Sequence, residues 1–310
     1  MRVVITGGTG FVGRHLAARL DPVDTVLISR RTGTPINDVD SLATAFAGCD
    51  VVAHCAGINR EIGDQTFQRV HVDGTRAVVE AARRAGVKRI VMLSFLRARP
   101  DTGSGYHDTK WAAEELLRHS GLEHTILKFG MIYGPGDHMV DHVTRAVRTW
   151  PIFATVGYQD RMVRPVPIAD AVDVLIAALE GRVTDPTVAV MGAEELELSA
   201  AVRRITGVAD RHPRFIRAPV WSIRALAQVT EWLMVTPLVA KAQAQMLAEG
   251  VNSPAPPAPE LPEGVRPSRP FDEASIREAM PVGRFDRSDL RITRWIDTRR
   301  RRPGDVSAFR

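Results

Sequence analysis

The chain has 310 residues, 45% apolar and 25% charged, with a formal charge of +5; these are the proportions of an ordinary globular protein and exclude disorder throughout. Residues 284–310 hold nine arginines and four aspartates, enough for the whole positive excess, so a basic body of the kind that gathers nucleic acid is excluded. Cys49 and Cys55 flank an expected strand whose extended length keeps them from bridging. Free thiols, no signal-peptide pattern and no apolar run near ~20 residues together point to a cytoplasmic protein.

The first expected strand, Arg2 to Ile5, runs into Gly7, Gly10 and Gly13 and then into an amphipathic helix from Phe11 to Leu20. Gly7 suits a tight turn out of the strand, Gly10 a close approach to a pyrophosphate, and Gly13 close packing of helix on sheet. Phosphates then meet the free N–H groups of the helix N-terminus. A second strand is expected at Thr25 to Ile28, ending at Ser29-Arg30-Arg31, then a helical turn from Ser41 to Ala47 and a third strand from Asp50 to His54 that stops at Cys55-Ala56-Gly57. Helical periodicity over Thr66 to Ala85 closes at Gly86. A strand from Lys88 to Leu93, a helix from Tyr106 to His119 and a strand from His124 to Phe129 follow. Strands alternating with helices at this spacing specify parallel βαβ units, an α/β Rossmann-type doubly wound sheet.

Beyond Gly130 the pattern loosens. Tyr133-Gly-Pro-Gly-Asp137 is turn chemistry. A helix from His138 to Thr149, an irregular stretch to Arg161, an extended Val163 to Ile168, a helix from Ala169 to Leu179 and a strand from Thr187 to Met191 are expected. Residues 195–249 read as mostly helical. One NAD(P)-binding domain over 1–250 is therefore expected, with a smaller substrate lobe from about 131–162 and 191–250. Seven prolines in residues 252–270 mark 251–270 as a semi-rigid linker, and 271–310 as a basic tail.

In their order along the chain, Thr6-Gly-Gly-Thr-Gly-Phe-Val-Gly13, Asp50-Val-Val-Ala-His-Cys-Ala-Gly57, His71-Val-Asp-Gly-Thr75 and Tyr106-His-Asp-Thr-Lys110 resemble the short-chain dehydrogenase/reductase superfamily in its extended or atypical branch. Tyr133-Gly-Pro-Gly-Asp137 and Val166-Pro-Ile-Ala-Asp170 continue the resemblance, which covers about residues 1–190 and more loosely reaches 250. Within the superfamily, the helical lobe with Pro237 to Met246 is most similar to bacterial relatives of the nucleotide-binding accessory subunit of respiratory complex I.

The resemblance implies a cofactor held by Gly7, Thr9, Gly10, Phe11, Val12 and Gly13, by Ile36 against the adenine, and by Cys55, Ala56 and Gly57 beneath the ribose and nicotinamide. NAD-preferring relatives end the second strand in a carboxylate; here Ser29, Arg30 and Arg31 stand there, and a guanidinium fork binds the 2′-phosphate that a carboxylate repels, so NADP(H) is favoured over NAD(H). The resemblance also gives Tyr106 the substrate proton and makes Lys110, one helical turn on, a second cofactor contact whose ammonium lowers the phenol's pKa. Ser94 would orient the substrate oxygen, unless Phe95 occupies that slot, in which case the hydroxyl is missing; the sequence leaves both readings open. His71 stands where relatives carry asparagine, and Lys128-Phe129 where they carry arginine-proline.

No metal site is expected: His138 and His142 lack partner ligands and read as a helix face. Trp221 and Trp232 read as core of the lobe, and Trp295 with Arg299 to Arg302 as a tail that meets anionic lipid or an acidic partner, or is simply solvated. Three functions are left: an NADP(H)-dependent oxidoreductase acting on a small carbonyl or alcohol, a non-catalytic NADPH-binding structural or redox-sensing protein, and a nucleotide-sugar epimerase or dehydratase. Oligomeric state is not legible.

Overall fold

The first strand, β1 (Val3–Thr6), is buried on both faces and leads through the glycine loop to α1 (Phe11–Ala17), after which β2 (Thr25–Ile28), α2 (Val39–Phe46) and β3 (Val51–His54) follow. The computed structural model describes residues 1–234, 241–286 and 289, with Lys241 and Ala242 described by backbone alone. The chain continues through a π-helical turn at Gln68–Asp73 into α3 (Gly74–Ala85), then β4 (Arg89–Phe95), α4 (Gly105–Arg118) and β5 (Glu123–Phe129). Gly86 closes α3 in the left-handed region, at φ 75°, as its position in the sequence implies.

The second half holds β6 (Ile132–Tyr133), α5 (Met139–Thr149), β7 (Ile152–Val156), β8 (Met162–Val163), β9 (Val166–Pro167), α6 (Ile168–Leu179) and β10 (Thr187–Val190). After these come β11 (Leu196–Glu197), α7 (Leu198–Val208), β12 (Arg214–Ala218), α8 (Val220–Leu233), α9 (Lys241–Glu249) and α10 (Glu273–Ala279). Six strands form one parallel sheet in the order β10-β5-β4-β3-β1-β2. The order reverses between β1 and β3, so the crevice where such folds take ligands opens at the C-terminal ends of these two strands.

Both sheet faces are covered. Ile5, Val91, Leu127 and Val188 pack under α1 and α6, and Val4, Val52, Met92 and Ile126 pack under the helices of the other face. A third apolar cluster, with Tyr133, Val143, Ile205, Phe271 and Ile276, is the core of the lobe.

Three expectations are corrected. The stretch read as irregular contains β7, which pairs in parallel with β12; its partner lies some sixty residues on, a distance no local pattern reports. Residues 251–270 are not a free linker. They run along the body, where the Val251 N–H donates to Met162 O, the Ala255 N–H to Leu96 O and the Ala189 N–H to Pro259 O, and Leu261 is 1% exposed. Prolines lack a donor but keep their carbonyls, which suits an extended segment laid against a sheet edge. The tail is likewise packed at its start: Phe271, Ile276 and Ala279 are buried in the lobe core. Residues 290–310, with Trp295 and Arg299 to Arg302, and Pro237 to Ala240 lie outside the described residues.

Candidate functional site

The glycine loop is shaped by contacts that leave no room for side chains. A methyl group on Gly13 would lie 2.3 Å from Gly7 O, and one on Gly7, itself at φ +71°, would lie 2.7 Å from Ala56 Cα. Helix α1 therefore presses onto the loop, and the loop onto the segment after β3. Thr9, Gly10, Phe11 and Val12 stay at the partly open rim above this contact. Cys55, Ala56 and Gly57 continue from β3 along the crevice floor, with burial pushing the Cys55 thiol up to about 12, so it stays protonated.

Lys110 comes to the same place from α4. Its Nζ donates to Leu93 O at 3.2 Å, and a methyl group on Gly57 would lie 3.2 Å from it. Burial lowers the ammonium to about 8, against the opposing pull of Glu114. Tyr106, one turn back, packs edge-on to Phe67, His71 and Phe95, with ring centroids 5.4–5.7 Å apart. Among the described residues its hydroxyl makes no hydrogen bond. The expected lowering of the phenol by Lys110 is not what the geometry gives: burial among these rings raises Tyr106 above its ordinary 10, because the ammonium is turned to Leu93 and Gly57.

Ser94 is not brought to Tyr106. Strand β4 runs two residues past its expected end, so the pleat turns Ser94 to the α4 face with Met92, where its hydroxyl donates to Glu114 at 2.5 Å. Glu114 is fully buried and also receives Arg118 at 2.7 Å and Lys128 at 3.3 Å. Phe95 takes the place beside Tyr106, and Ser94 belongs to this buried ion cluster.

Residues the sequence reading assigned no site role or only a loose one hold the site together. The Thr109 hydroxyl donates to Gly105 O, its oxygen lies 2.9 Å from His71 Nδ1, and Nε2 meets the Ile58 backbone, 3.1 Å from its N and 3.0 Å from its O. Thr75 donates to His71 O, accepts from His54 Nε2–H at 3.0 Å, and His54 Nδ1 accepts from Thr6 at 2.7 Å. One chain of hydrogen bonds thus runs from the end of β1 to the start of α4. His71 ties the loop after β3 to α4. Thr109 lies between Tyr106 and Lys110 in sequence, a signal available but unread.

At the end of β2, Ser29 is occupied: its side chain accepts from Thr32 N at 3.1 Å and closes a capping box over the turn Arg30–Thr32. Arg30 and Arg31 project from that turn, exposed and without an ion pair among the described residues. Ile36 packs on Gly74, whose methyl replacement would sit 3.0 Å from its Cγ1.

Residues 7–146 match a family described as NAD(P)H-binding. A ceramide reductase of Caulobacter vibrioides is 33% identical over 195 residues, 56% of this chain and 60% of its own length. The mitochondrial NADH dehydrogenase (ubiquinone) 1 alpha subcomplex subunit 9 of Arabidopsis thaliana is 21% identical over 254 residues, 74% of this chain and 63% of its own. The chain therefore spans less than two thirds of the length of these relatives. A UDP-glucose 4-epimerase of Thermotoga maritima, solved with UDP-glucose, superposes with a TM-score of 0.65 at 14% identity, covering 90% of this chain and 97% of that one. At that identity the likeness is one of fold.

Sheet order, glycine loop and family match together define a nucleotide-binding Rossmann domain of reductase/epimerase type. Residues 7–146, a little under half of the chain, match the NAD(P)H-binding family, and the fold is like that of the reductase and epimerase structures.

Proposed function

We propose that the protein is an NADP(H)-dependent oxidoreductase that reduces a carbonyl compound or oxidises the matching alcohol, with Tyr106 as proton donor and acceptor and Lys110 as the positioning cation. The observation that carries this reading is the pair itself: a phenol with no hydrogen bond among the described residues, one turn from a buried ammonium turned to the crevice floor at Gly57. The residues fit a dinucleotide, because the cradle at Gly7 and Gly13 exists only while both lack a Cβ. When bound, the nicotinamide supplies or accepts the hydride at the substrate carbon. Burial keeps the Tyr106 phenol protonated near neutrality, which suits donation to a carbonyl oxygen. Lys110 would hold a ribose hydroxyl of the bound cofactor. The exposed guanidinium groups of Arg30 and Arg31 support the 2′-phosphate form of the cofactor. The reductase name of the Caulobacter relative supports the reaction type.

A second reading, NADPH binding without turnover, is favoured by Phe95 beside Tyr106 where a hydroxyl would orient the substrate oxygen. The two separate in one experiment: fluorescence titration with NADPH and NADH, then turnover on a carbonyl panel. Tyr106→Phe should keep the NADPH Kd and lower kcat by about 10²-fold or more, while Ser94→Ala leaves kcat nearly unchanged. NADPH binding without turnover on any carbonyl selects the second reading.

A further inference from the structure

Helix α8 turns an apolar face to solvent. Its buried stripe, Ile223, Ala227 and Thr230, recurs at helical spacing and seats it on the protein. Opposite that stripe lie Trp221, Ala225, Val229 and Trp232, and the two indoles, read from sequence as core, are 73% and 74% exposed. Leu226 and Leu233 flank them, each 40% exposed. A helix meeting only water carries charge on that side. Ile152 and Ile216 of the β7–β12 ribbon and Tyr158 in the turn after β7 are exposed as well. These elements together hold most of the large apolar side chains that the described residues expose.

The charge around this face is mainly positive. Residues 211–233 contain Arg211, Arg214, Arg217 and Arg224, all exposed, against a single acidic residue, Glu231. A second copy docking through the same patch would set arginine against arginine across a two-fold axis, which costs free energy. An anionic bilayer offers the complement: phosphates for the guanidinium groups and, just below, acyl chains for the rings, with each indole N–H still among headgroups. Among the described residues no helix is long and apolar enough to cross a membrane.

We propose that α8 docks the protein peripherally on an anionic membrane surface, lying in the plane of the interface with Trp221, Val229 and Trp232 inserted. The docked helix is one element from the candidate site. α8 packs on α9, whose Met246 joins the cluster of Phe95, Tyr106 and Trp111 and whose Gln245 donates to Thr102 O.

The test is co-sedimentation of the full chain with phosphatidylcholine vesicles made with and without phosphatidylglycerol. Wild type is expected to sediment with the anionic vesicles. The Trp221→Ala/Trp232→Ala double variant, checked for unchanged NADPH affinity and melting temperature, should bind them at least about tenfold more weakly. Replacing Arg299 to Arg302 by glutamine should leave binding within about threefold of wild type. Three results overturn the proposal: no wild-type binding to anionic vesicles, binding that survives loss of both tryptophans, or a tryptophan-dependent dimer in sedimentation velocity without vesicle binding.

Discussion

Gly13 and Gly7 are held where no methyl group fits. With 2.3 Å between a would-be Gly13 Cβ and Gly7 O, alanine must push α1 off the loop proposed to hold the cofactor phosphates. Gly13→Ala is expected to weaken NADPH binding by about 10²-fold or more in a fluorescence titration, a loss of roughly 3 kcal/mol; an unchanged Kd would sink the phosphate-cradle assignment. The two buried histidines carry a second expectation. Burial drives His54 down to about 3, and His71 well below its ordinary 6.5. For a base depressed in the folded state, the unfolded chain binds more protons between the two values. That contribution is complete above 6.5 and is lost as pH falls toward 3. Asp137, raised by burial to about 7 from 3.8, acts in the opposite sense over its own window. At about pH 5 His54 withdraws about 2 kcal/mol, and His71 acts in the same direction. His71→Asn should therefore flatten the fall in melting temperature between about pH 7 and about pH 5, and an unaltered slope would show that His71 is not a source of the acid sensitivity.

Among the elements, the local pattern located nearly every strand and helix of the first half, because each is a short apolar run or amphipathic stretch bounded by its own glycine or cap. The end of β4 was the costly exception. Two extra strand residues decide whether Ser94 or Phe95 faces Tyr106, and strand length here depends on pairing with Lys128 and Phe129 of β5, which no window along β4 contains. The segment after Gly250 misled for a related reason: proline content reports a stiff extended chain, not whether something lies beside it. Asp170, 3% exposed on α6, accepts from the Ser268 and Arg269 N–H groups, each at 2.9 Å, and pairs with the Arg269 guanidinium. Asp170→Asn is expected to cost about 2–3 kcal/mol in urea unfolding and to open residues 251–286 to protease while the NADPH Kd stays within about twofold. Protease resistance equal to wild type would mean that the segment is held by its apolar contacts alone.

For the molecule as a whole, cofactor choice is the sharpest reading to test, since the turn bearing Arg30 and Arg31 buries none of its residues. If both guanidinium groups hold the 2′-phosphate, Arg30→Ala/Arg31→Ala should cut NADPH affinity about tenfold or more, leave NADH affinity nearly unchanged, and weaken the salt dependence of NADPH binding. Saturating NADPH, at about 100 times its Kd, should stabilise wild type by about 2.7 kcal/mol and the variant by less at the same concentration. Equal effects of the two cofactors on wild-type melting would remove the basis for NADP(H). The parallel sheet, the glycine cradle, the Tyr106–Lys110 spacing and the arginines after β2 are all legible along the chain, because each is written within one turn or strand and its bounding residues. The direction of the Tyr106 shift, the removal of Ser94 to Glu114, the wrap of residues 251–286 and the outward tryptophans of α8 needed the folded chain. Each depends on burial or on a partner tens of residues away, and burial belongs to the packed molecule rather than to any stretch of its sequence.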